Sequence, residues 1–196
     1  EWTMDGAVTI TLDGSTASTN GDGVIVDGST VTITTAGTYV LTGQLDGQVT
    51  VDTADEGVVA LVLDGAEISS STSAAIAVLS AEDVVVSLSG SNGLASTGDD
   101  EEANAALYSD ADLTLTGDGS LTVTSTQNDG ITSLDDLVVL SGEITVTAGD
   151  DGLRGKDSLT IEGGTVTVDA GGDALKSDDA EDETRGYVHI AGGSIA

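Results

Sequence analysis

The residues Asp112-Leu-Thr-Leu-Thr-Gly-Asp-Gly-Ser-Leu-Thr-Val123 are followed by two variants of the same pattern, Asp136-Leu-Val-Val-Leu-Ser-Gly-Glu-Ile-Thr-Val146 and Ser158-Leu-Thr-Ile-Glu-Gly-Gly-Thr-Val-Thr-Val168. Each copy is followed by a turn rich in Asp and Gly, and the aspartates of these turns fall at positions 129, 151 and 173, a constant period of 22 residues. Short alternating strands that repeat with a period in the low twenties are typical of a β-solenoid. The sequence therefore predicts an all-β fold, a parallel β-helix with coils of about 22 residues.

The composition agrees with an all-β chain whose core contains few aromatic side chains. The 196 residues include 27 glycines and no Phe, Pro or Cys, and the apolar residues are mostly Val, Leu, Ile and Ala. β-Branched residues between Gly-rich turns favour strands. The absence of cysteine excludes a disulfide framework and a zinc–thiolate site.

The chain is strongly acidic, with 35 acidic residues against 4 basic ones and a net charge of −31. This charge excludes nucleic acid and anionic membranes as partners unless cations bridge the two surfaces. No apolar run is long enough for insertion into a membrane. Adaptation to high salt and calcium binding both explain the charge as a whole, whereas calcium is the favoured explanation for the periodic aspartates, because Asp supplies oxygen ligands.

The chain is predicted to form one domain, residues 1–196. Residues 1–28 are expected to contribute an N-terminal cap and the first strands, and residues 29–196 the coils, roughly seven or eight of them from length and period. Acidic insertions at 96–105 and 178–186 are expected to form loops. The chain begins at Glu1 rather than Met and its last repeat stops within a strand, so we expect either a trimmed product or an end that another molecule completes.

The 22-residue period stacks equivalent side chains of successive coils about 4.8 Å apart. Carboxylates at this distance repel each other unless a cation lies between them, and Ca²⁺ takes carboxylate, amide and carbonyl oxygens. The alternative is that each Asp caps a turn by accepting backbone N–H groups. We favour calcium. The predicted ligands are Asp129, Asp151 and Asp173 in a first ladder with Asn128 and Asp150 beside it, and Asp135, Asp157 and Asp179 in a second ladder.

Six motifs occur in an order that is familiar from one family. They are Ser29-Thr-Val-Thr-Ile-Thr-Thr-Ala-Gly-Thr-Tyr-Val-Leu-Thr-Gly43, Asp46-Gly-Gln-Val-Thr-Val-Asp52, Leu61-Val-Leu-Asp-Gly-Ala-Glu-Ile68, Ser73-Ala-Ala-Ile76, Asn128-Asp-Gly-Ile131 and Asp151-Gly-Leu-Arg-Gly-Lys-Asp157. Together they resemble a secreted bacterial carbohydrate-binding-domain family of calcium-containing right-handed parallel β-helices, similar in fold to pectate lyases. The resemblance covers nearly the whole chain. It implies binding of plant-type polysaccharide, polygalacturonate or cellulose, outside the cell or at its surface and without catalysis.

All four basic residues lie in the last quarter of the chain, close to the predicted ladders. Arg154 and Lys176 share a repeat position, and Tyr108 aligns with them. We therefore predict a ligand-binding face made of Arg154, Lys156, Lys176 and Tyr108, with Tyr108 as a stacking residue and the bases as partners for uronate carboxylates. Salt bridges that soften the acidic field are the alternative role of the bases. The resemblance also leaves a pectate-lyase-like activity as a minor alternative, in which Lys156 or Lys176 with a lowered pKa removes a proton.

Two further functions stay open from the sequence. A structural subunit would stack end to end into calcium-stabilised filaments or layers, because an open last coil presents unpaired strand edges. A flat array of threonines on equivalent strands, Thr122, Thr145 and Thr167 with Thr124 and Thr147 beside them, would suit ice binding, although Thr is also a common strand residue.

Overall fold

The computed structural model describes residues 2–196, and its regular elements there are β-strands alone. Successive turns of the chain contribute strands to three parallel columns, and two of these columns form one continuous 14-stranded sheet. The third column is a separate 8-stranded sheet. The predicted parallel β-helix is therefore confirmed.

The strands follow one another in the order in which the columns are visited. They are β1 (Val8–Gly14), β2 (Ala17–Thr19), β3 (Val24–Asp27), β4 (Thr30–Ile33), β5 (Gly37–Asp46), β6 (Gln48–Asp52), β7 (Val58–Ser70), β8 (Ile76–Ser80), β9 (Asp83–Ser89), β10 (Ser91–Ser96), β11 (Ala105–Ser109), β12 (Asp112–Gly117), β13 (Ser120–Ser125), β14 (Asp129–Ser133), β15 (Asp136–Val139), β16 (Glu143–Ala148), β17 (Leu153–Gly155), β18 (Ser158–Ile161), β19 (Thr165–Ala170), β20 (Leu175–Lys176), β21 (Tyr187–Ile190) and β22 (Ser194–Ile195).

The 8-stranded sheet measures the length of each coil. Leu107 pairs with Ile131, Ile131 with Leu153 and Leu153 with Leu175, so the last two steps have the predicted period of 22 residues. The step from Ile76 to Leu107 is 31 residues long, because it includes the irregular segment 97–104. The structure accordingly has about six turns rather than the predicted seven or eight, since the early coils consume more residues than the repeat that was used to count them.

The N-terminal strands close one end of the solenoid. β1 already pairs in parallel with β5, whereas β2 pairs antiparallel with β1 and β3 antiparallel with β4. An antiparallel strand at the end of a parallel stack covers an edge that would otherwise present unpaired backbone groups. The expected cap strands are therefore present among residues 2–28, and Glu1 lies outside the described residues.

The core is a stack of identical or similar aliphatic side chains. Leu113, Leu137 and Leu159 are each 0% exposed and pair in register across β12, β15 and β18. Because each coil buries its inward residues against the coil before and after it, the core needs no large aromatic anchor. No helix within residues 2–196 is long and apolar enough to cross a membrane.

The outward residues of the second column form the threonine array that the sequence predicts. Thr122 pairs with Thr145 and Thr145 with Thr167, and Thr124 pairs with Thr147. All five of these residues are exposed. The neighbour of Thr147 in the next coil is Asp169, so the array ends there on one side.

One buried side chain joins three coils at the turn between the first two columns. Asn92 is 3% exposed; its Oδ1 accepts the Ala66 N–H at 3.0 Å, and its Nδ2 donates to the carbonyls of Ser89 and Ser120, both at 3.1 Å. Three partners satisfy this amide, and a buried polar group that loses its partner costs about 1–3 kcal/mol.

We expect Asn92→Ala to lower the free energy of unfolding by about 2–3 kcal/mol, because it leaves one N–H and two carbonyls of neighbouring coils without their partner. Asn92→Asp is expected to be worse, since a carboxylate would face two carbonyl oxygens. Urea denaturation monitored by circular dichroism measures both. A loss below about 0.5 kcal/mol for Asn92→Ala, the size of an ordinary surface substitution, would show that the three contacts do not hold the turn.

Candidate metal and carbohydrate-binding site

The outer face of the 8-stranded sheet carries the predicted acidic and basic residues in two adjacent columns. Thr132 pairs with Arg154, and Arg154 pairs with Lys176. Three residues earlier in each coil stand Asp129, Asp151 and Asp173. The predicted shared position of Arg154 and Lys176 is confirmed, and the first aspartate ladder runs directly beside it.

Three carboxylates of this face form a compact group. Asp129, Asp150 and Asp151 each offer an oxygen, and these oxygens lie within 4.8 Å of one another. Asp129 and Asp151 are 2% and 3% exposed, whereas Asp150 is exposed. Two of the three charges are therefore removed from water, where their mutual repulsion is little screened.

The two buried carboxylates also act as caps between coils. Oδ1 of Asp129 accepts the backbone N–H of Asp151 at 3.0 Å, and Oδ1 of Asp151 accepts that of Asp173 at 2.8 Å. The hydroxyl of Thr132 donates to Oδ2 of Asp129 at 2.8 Å. The capping role that the sequence left as the alternative is therefore present, and it uses one oxygen of each carboxylate.

The pKa of Asp129 is raised above its ordinary value. Burial is the main cause, because it penalises the charged form, and the negative charges of Asp151 and Asp150 act in the same direction. The hydrogen bonds from Thr132 and from the backbone of Asp151 oppose the shift without cancelling it. A buried carboxyl held next to two others is the electrostatic setting in which a cation is most strongly attracted.

The residues fit a divalent cation in both charge and space. The ammonium Nζ of Lys176 lies 2.6 Å from Oδ2 of Asp151, so the group of three carboxylates has one positive partner within reach. A Cβ at Gly172 would lie 2.5 Å from Oδ1 of Asp151 and 2.7 Å from Oδ1 of Asp150, so the glycine leaves open the space beside both oxygens. Neither Gly172 nor Thr132 was singled out from the sequence.

Two predicted members of the first ladder lie outside this group. Asp173 is exposed and is absent from the group of three. Asn128 is half-buried and donates from Nδ2 to the carbonyl of Asp100 at 3.2 Å, which ties the turn to the acidic loop before β11. Asn128 thus uses its amide nitrogen in the structure, and its amide oxygen stays a predicted ligand.

The second ladder does not continue to its third residue, which corrects the prediction for Asp179. The N–H of Asp157 bonds to the carbonyl of Asp135, but the carbonyl of Asp157 accepts its bond from Gly186. The insertion 178–186 shifts the ladder position to Gly186, and Asp179 instead caps its own loop by accepting the N–H groups of Glu181 and Asp182. These two bonds lower the pKa of Asp179.

Asp135 and Asp157 keep adjacent positions but have different surroundings. Burial raises the pKa of Asp135, and the nearby Asp112 adds to the effect. The Asp157 carboxylate, in a residue that is 6% exposed, forms an ion pair with Arg185. Among residues 2–196 these two do not belong to a group of three or more close carboxylates. The second ladder is therefore a pair with an internal counter-ion.

The basic residues are engaged in ion pairs with the acidic face. Arg154 donates from Nε and Nη2 to the Asp178 carboxylate at 3.0–3.2 Å, and Nζ of Lys176 lies 3.9 Å from the same carboxylate. Lys156 is exposed, and no carboxylate of residues 2–196 lies within 4.0 Å of its ammonium. The partner Asp178 was predicted as part of a loop and not as part of the site.

Tyr108 does not offer a stacking platform, which corrects the prediction for this residue. It is 6% exposed and packs in a small cluster of alanines that includes Ala77 and, from the loop before β11, Ala103. Its hydroxyl donates to Oδ1 of Asp110 at 2.6 Å. Burial and this carboxylate together raise the pKa of Tyr108. The acidic insertion therefore covers the ring.

A wider groove lies on the outer face of the second column, away from the acidic ladder. It has a volume of about 600 Å³, and Gly93 and Ala95 contribute to its floor between Glu67 and Thr122. None of the four basic residues lines it. The groove therefore lacks a partner for an anionic sugar, whereas the ladder face has two.

Comparison with known proteins assigns the chain to a family. The family described as "Carbohydrate-binding domain-containing protein" matches residues 27–196. The chain belongs to this family. The match covers every strand from β4 onward and the whole ladder face, so the family assignment applies to the candidate site as well as to the fold.

A relative and a solved structure support the assignment. A carbohydrate-binding domain-containing protein of Acetivibrio thermocellus is 39% identical over 139 residues, which are 66% of this chain and 49% of the relative. The chain thus spans about half the length of that relative. A structure described as the polysaccharide lyase-like protein from C. thermocellum, gadolinium derivative, superposes with a TM-score of 0.92 at 38% identity and covers 96% of this chain and 81% of its own.

Proposed function

We propose that this family member binds acidic polysaccharide outside the cell through calcium held by Asp129, Asp150 and Asp151. The observation that carries the proposal is the position of this carboxylate group directly beside Arg154 and Lys176 on one sheet face. The carbohydrate-binding family provides the ligand class, and the charges of the face provide its sign. Secretion or display at the cell surface is part of the proposal, because polysaccharide of this kind lies there.

Calcium is supported by the chemistry of the ligand atoms. Ca²⁺ takes about six to eight oxygen ligands in flexible geometry, and the group offers carboxylate oxygens together with the carbonyls of the adjoining turns. The related polysaccharide lyase-like structure is a gadolinium derivative, and trivalent lanthanide ions prefer the same hard oxygen ligands. The bound ion would neutralise the buried carboxylates and present a positive centre to a uronate.

The basic side chains support an acidic sugar over a neutral one. Arg154 presents a guanidinium that pairs with carboxylates in a two-point geometry, and 18% of its side chain is exposed. The chain contains one Trp, three Tyr and no Phe. Since Tyr108 is buried, an ionic mode of binding suits this face better than stacking on aromatic rings.

Binding without catalysis is the activity that we propose. A lysine that removes a proton at neutral pH needs a lowered pKa, whereas the hydrogen bond from Asp151 raises the pKa of Lys176. Arg154 is held by Asp178. Both features favour a receptor for carboxylates over a lyase.

Sedimentation with insoluble polygalacturonate, and separately with cellulose, tests the proposal in millimolar calcium and in chelator. We expect retention on polygalacturonate that is lost in chelator, and a loss of about tenfold in affinity for Arg154→Met, because one charge-assisted contact is worth about 1.5–3 kcal/mol. Glu143→Gln, on the opposite column, is the matched control. Equal retention in calcium and chelator would contradict the role of calcium, and formation of unsaturated products would contradict binding without catalysis.

End-to-end assembly is a second candidate function with an observation of its own. The outermost strand β21 leaves Val188 and Ile190 exposed, by 41% and 53%. In a parallel solenoid such residues pack against a further coil, of the same chain or of another copy. Light scattering in calcium tests this: growth in mass without sugar supports assembly, and a constant monomer mass in calcium rules it out for this chain.

A further inference from the structure

Lys176 occupies a position in which it must compete with a divalent ion. Its Nζ lies 2.6 Å from Oδ2 of Asp151, an oxygen of the same group that includes Asp129 and Asp150. Oδ1 of Asp151 already accepts a backbone N–H. Oδ2 is therefore the oxygen of Asp151 that is available to a metal ion, and the ammonium is bound to it.

The contact is more than a surface ion pair. The Asp151 side chain is 5% exposed and that of Lys176 is 33% exposed, so the acid is buried and the ammonium reaches it from the solvent side. A buried carboxylate without a cation is strongly destabilising, whereas a long lysine side chain is free to turn away. The geometry thus supplies one fixed partner and one movable partner.

We infer that Lys176 is an exchangeable internal cation, which neutralises Asp151 when calcium is absent and is displaced by calcium toward the incoming acidic sugar. The inference rests on the proposed function, because it needs calcium at this group. Displaced from Asp151, the ammonium remains beside Arg154, its neighbour in register on β17. The two bases then face the same carboxylate of the ligand.

Reciprocal coupling follows from this exchange. If calcium frees a group that binds the sugar, calcium raises the affinity for the sugar and the sugar raises the affinity for calcium by the same factor. Lys176 is then a positioning residue for the sugar as well as a competitor of the metal. Lys156 has no carboxylate within ion-pair distance among residues 2–196, so it carries the same charge without the exchange.

Titration calorimetry of calcium into wild type, Lys176→Met and Lys156→Met tests the inference. We expect Lys176→Met to lower the Kd for calcium at least about fivefold, the lower limit of a typical coupling, and Lys156→Met to change it less than about twofold. In chelator, Lys176→Met is expected to melt below wild type, because Asp151 loses its cation, and in saturating calcium to melt with it.

The second readout is the affinity for a galacturonate oligomer with and without calcium. We expect the increase caused by calcium to be several-fold smaller in Lys176→Met than in wild type. If wild type binds no calcium, the proposed function fails and the inference with it. If wild type binds calcium but Lys176→Met binds it no more tightly than Lys156→Met does, the exchange alone is wrong.

Discussion

Replacing Asp129 by asparagine is expected to reverse the order of stability between calcium and chelator. In chelator the variant should melt about 2–4 °C above wild type, since it removes a buried charge next to Asp150 and Asp151, and about 1 kcal/mol corresponds to that shift for a chain of this size. The asparagine still accepts the Asp151 N–H through its oxygen, while its NH₂ donates to the Thr132 hydroxyl. In calcium the variant should melt below wild type.

The calcium arm has the larger expected effect. An ion present at about 100 times its Kd stabilises the folded chain by about 2.7 kcal/mol, and the loss of a buried ligand removes most of this gain. Differential scanning calorimetry measures both arms, and Asp169→Asn, an exposed aspartate at the end of the threonine array, is the control for charge removal alone. A variant that keeps the full calcium-induced rise would show that Asp129 is not a ligand.

The same variant has a defined pH dependence. Because the folded pKa of Asp129 is raised, the folded chain binds this proton more tightly than the unfolded chain, and the stability that it contributes is present at low pH and lost as pH rises through the folded pKa. The advantage of Asp129→Asn in chelator should therefore grow with pH. An advantage that stays constant from acid to neutral pH would contradict the raised pKa.

Truncating one leucine of the central stack is expected to be the most destabilising single change in the fold. Leu137 is 0% exposed and pairs with Leu113 on one side and Leu159 on the other, so Leu137→Ala leaves a cavity that two coils share. Such truncations cost about 2–5 kcal/mol. For a chain of this size we expect the melting temperature to fall by roughly 5–15 °C.

A leucine three residues later is the matched control. Leu140 is 40% exposed, and Leu140→Ala is expected to change the free energy of unfolding by less than about 0.5 kcal/mol. Thermal and urea unfolding compare the two variants. Similar losses for both would contradict a core built from the inward leucines.

The last coils were predictable from sequence because their side chains repeat with a strict period. The aspartates at 129, 151 and 173 indicate the register, and the backbone bonds from Asp151 and Asp173 to the preceding carboxylates agree with it. A parallel solenoid aligns equivalent residues of equal-length coils, so a constant period determines which residues are neighbours. The same reasoning places Lys176 beside Arg154.

The contacts made by insertions were not predictable in this way. Segment 97–104 lies outside the repeat, and whether it leaves or covers Tyr108 depends on the small outward residues Ala77 and Ala103. The insertion 178–186 moves Gly186 into the place that the period gives to Asp179. A length excess in a repeat predicts a loop, but the path of the loop depends on packing that no periodicity describes.

Diagonal contacts between coils were also missed. The partner of Lys176 is Asp151, which lies one coil back and three residues along, and a ladder of equivalent positions does not suggest such a pair. Long side chains on a sheet commonly reach diagonal neighbours. The functional reasoning therefore depends on the structure for the contact that brings metal binding and sugar binding together.

The central claim is that calcium binds at Asp129, Asp150 and Asp151 and binds acidic sugar from there. A crystal structure with calcium and a galacturonate oligomer, using anomalous scattering to locate the ion, tests it most directly. The account predicts an ion bonded to oxygens of these three aspartates at about 2.3–2.6 Å, with Lys176 turned from Asp151 toward the sugar carboxylate. Calcium located elsewhere, with Lys176 still bound to Asp151 and the sugar on another face, would contradict it.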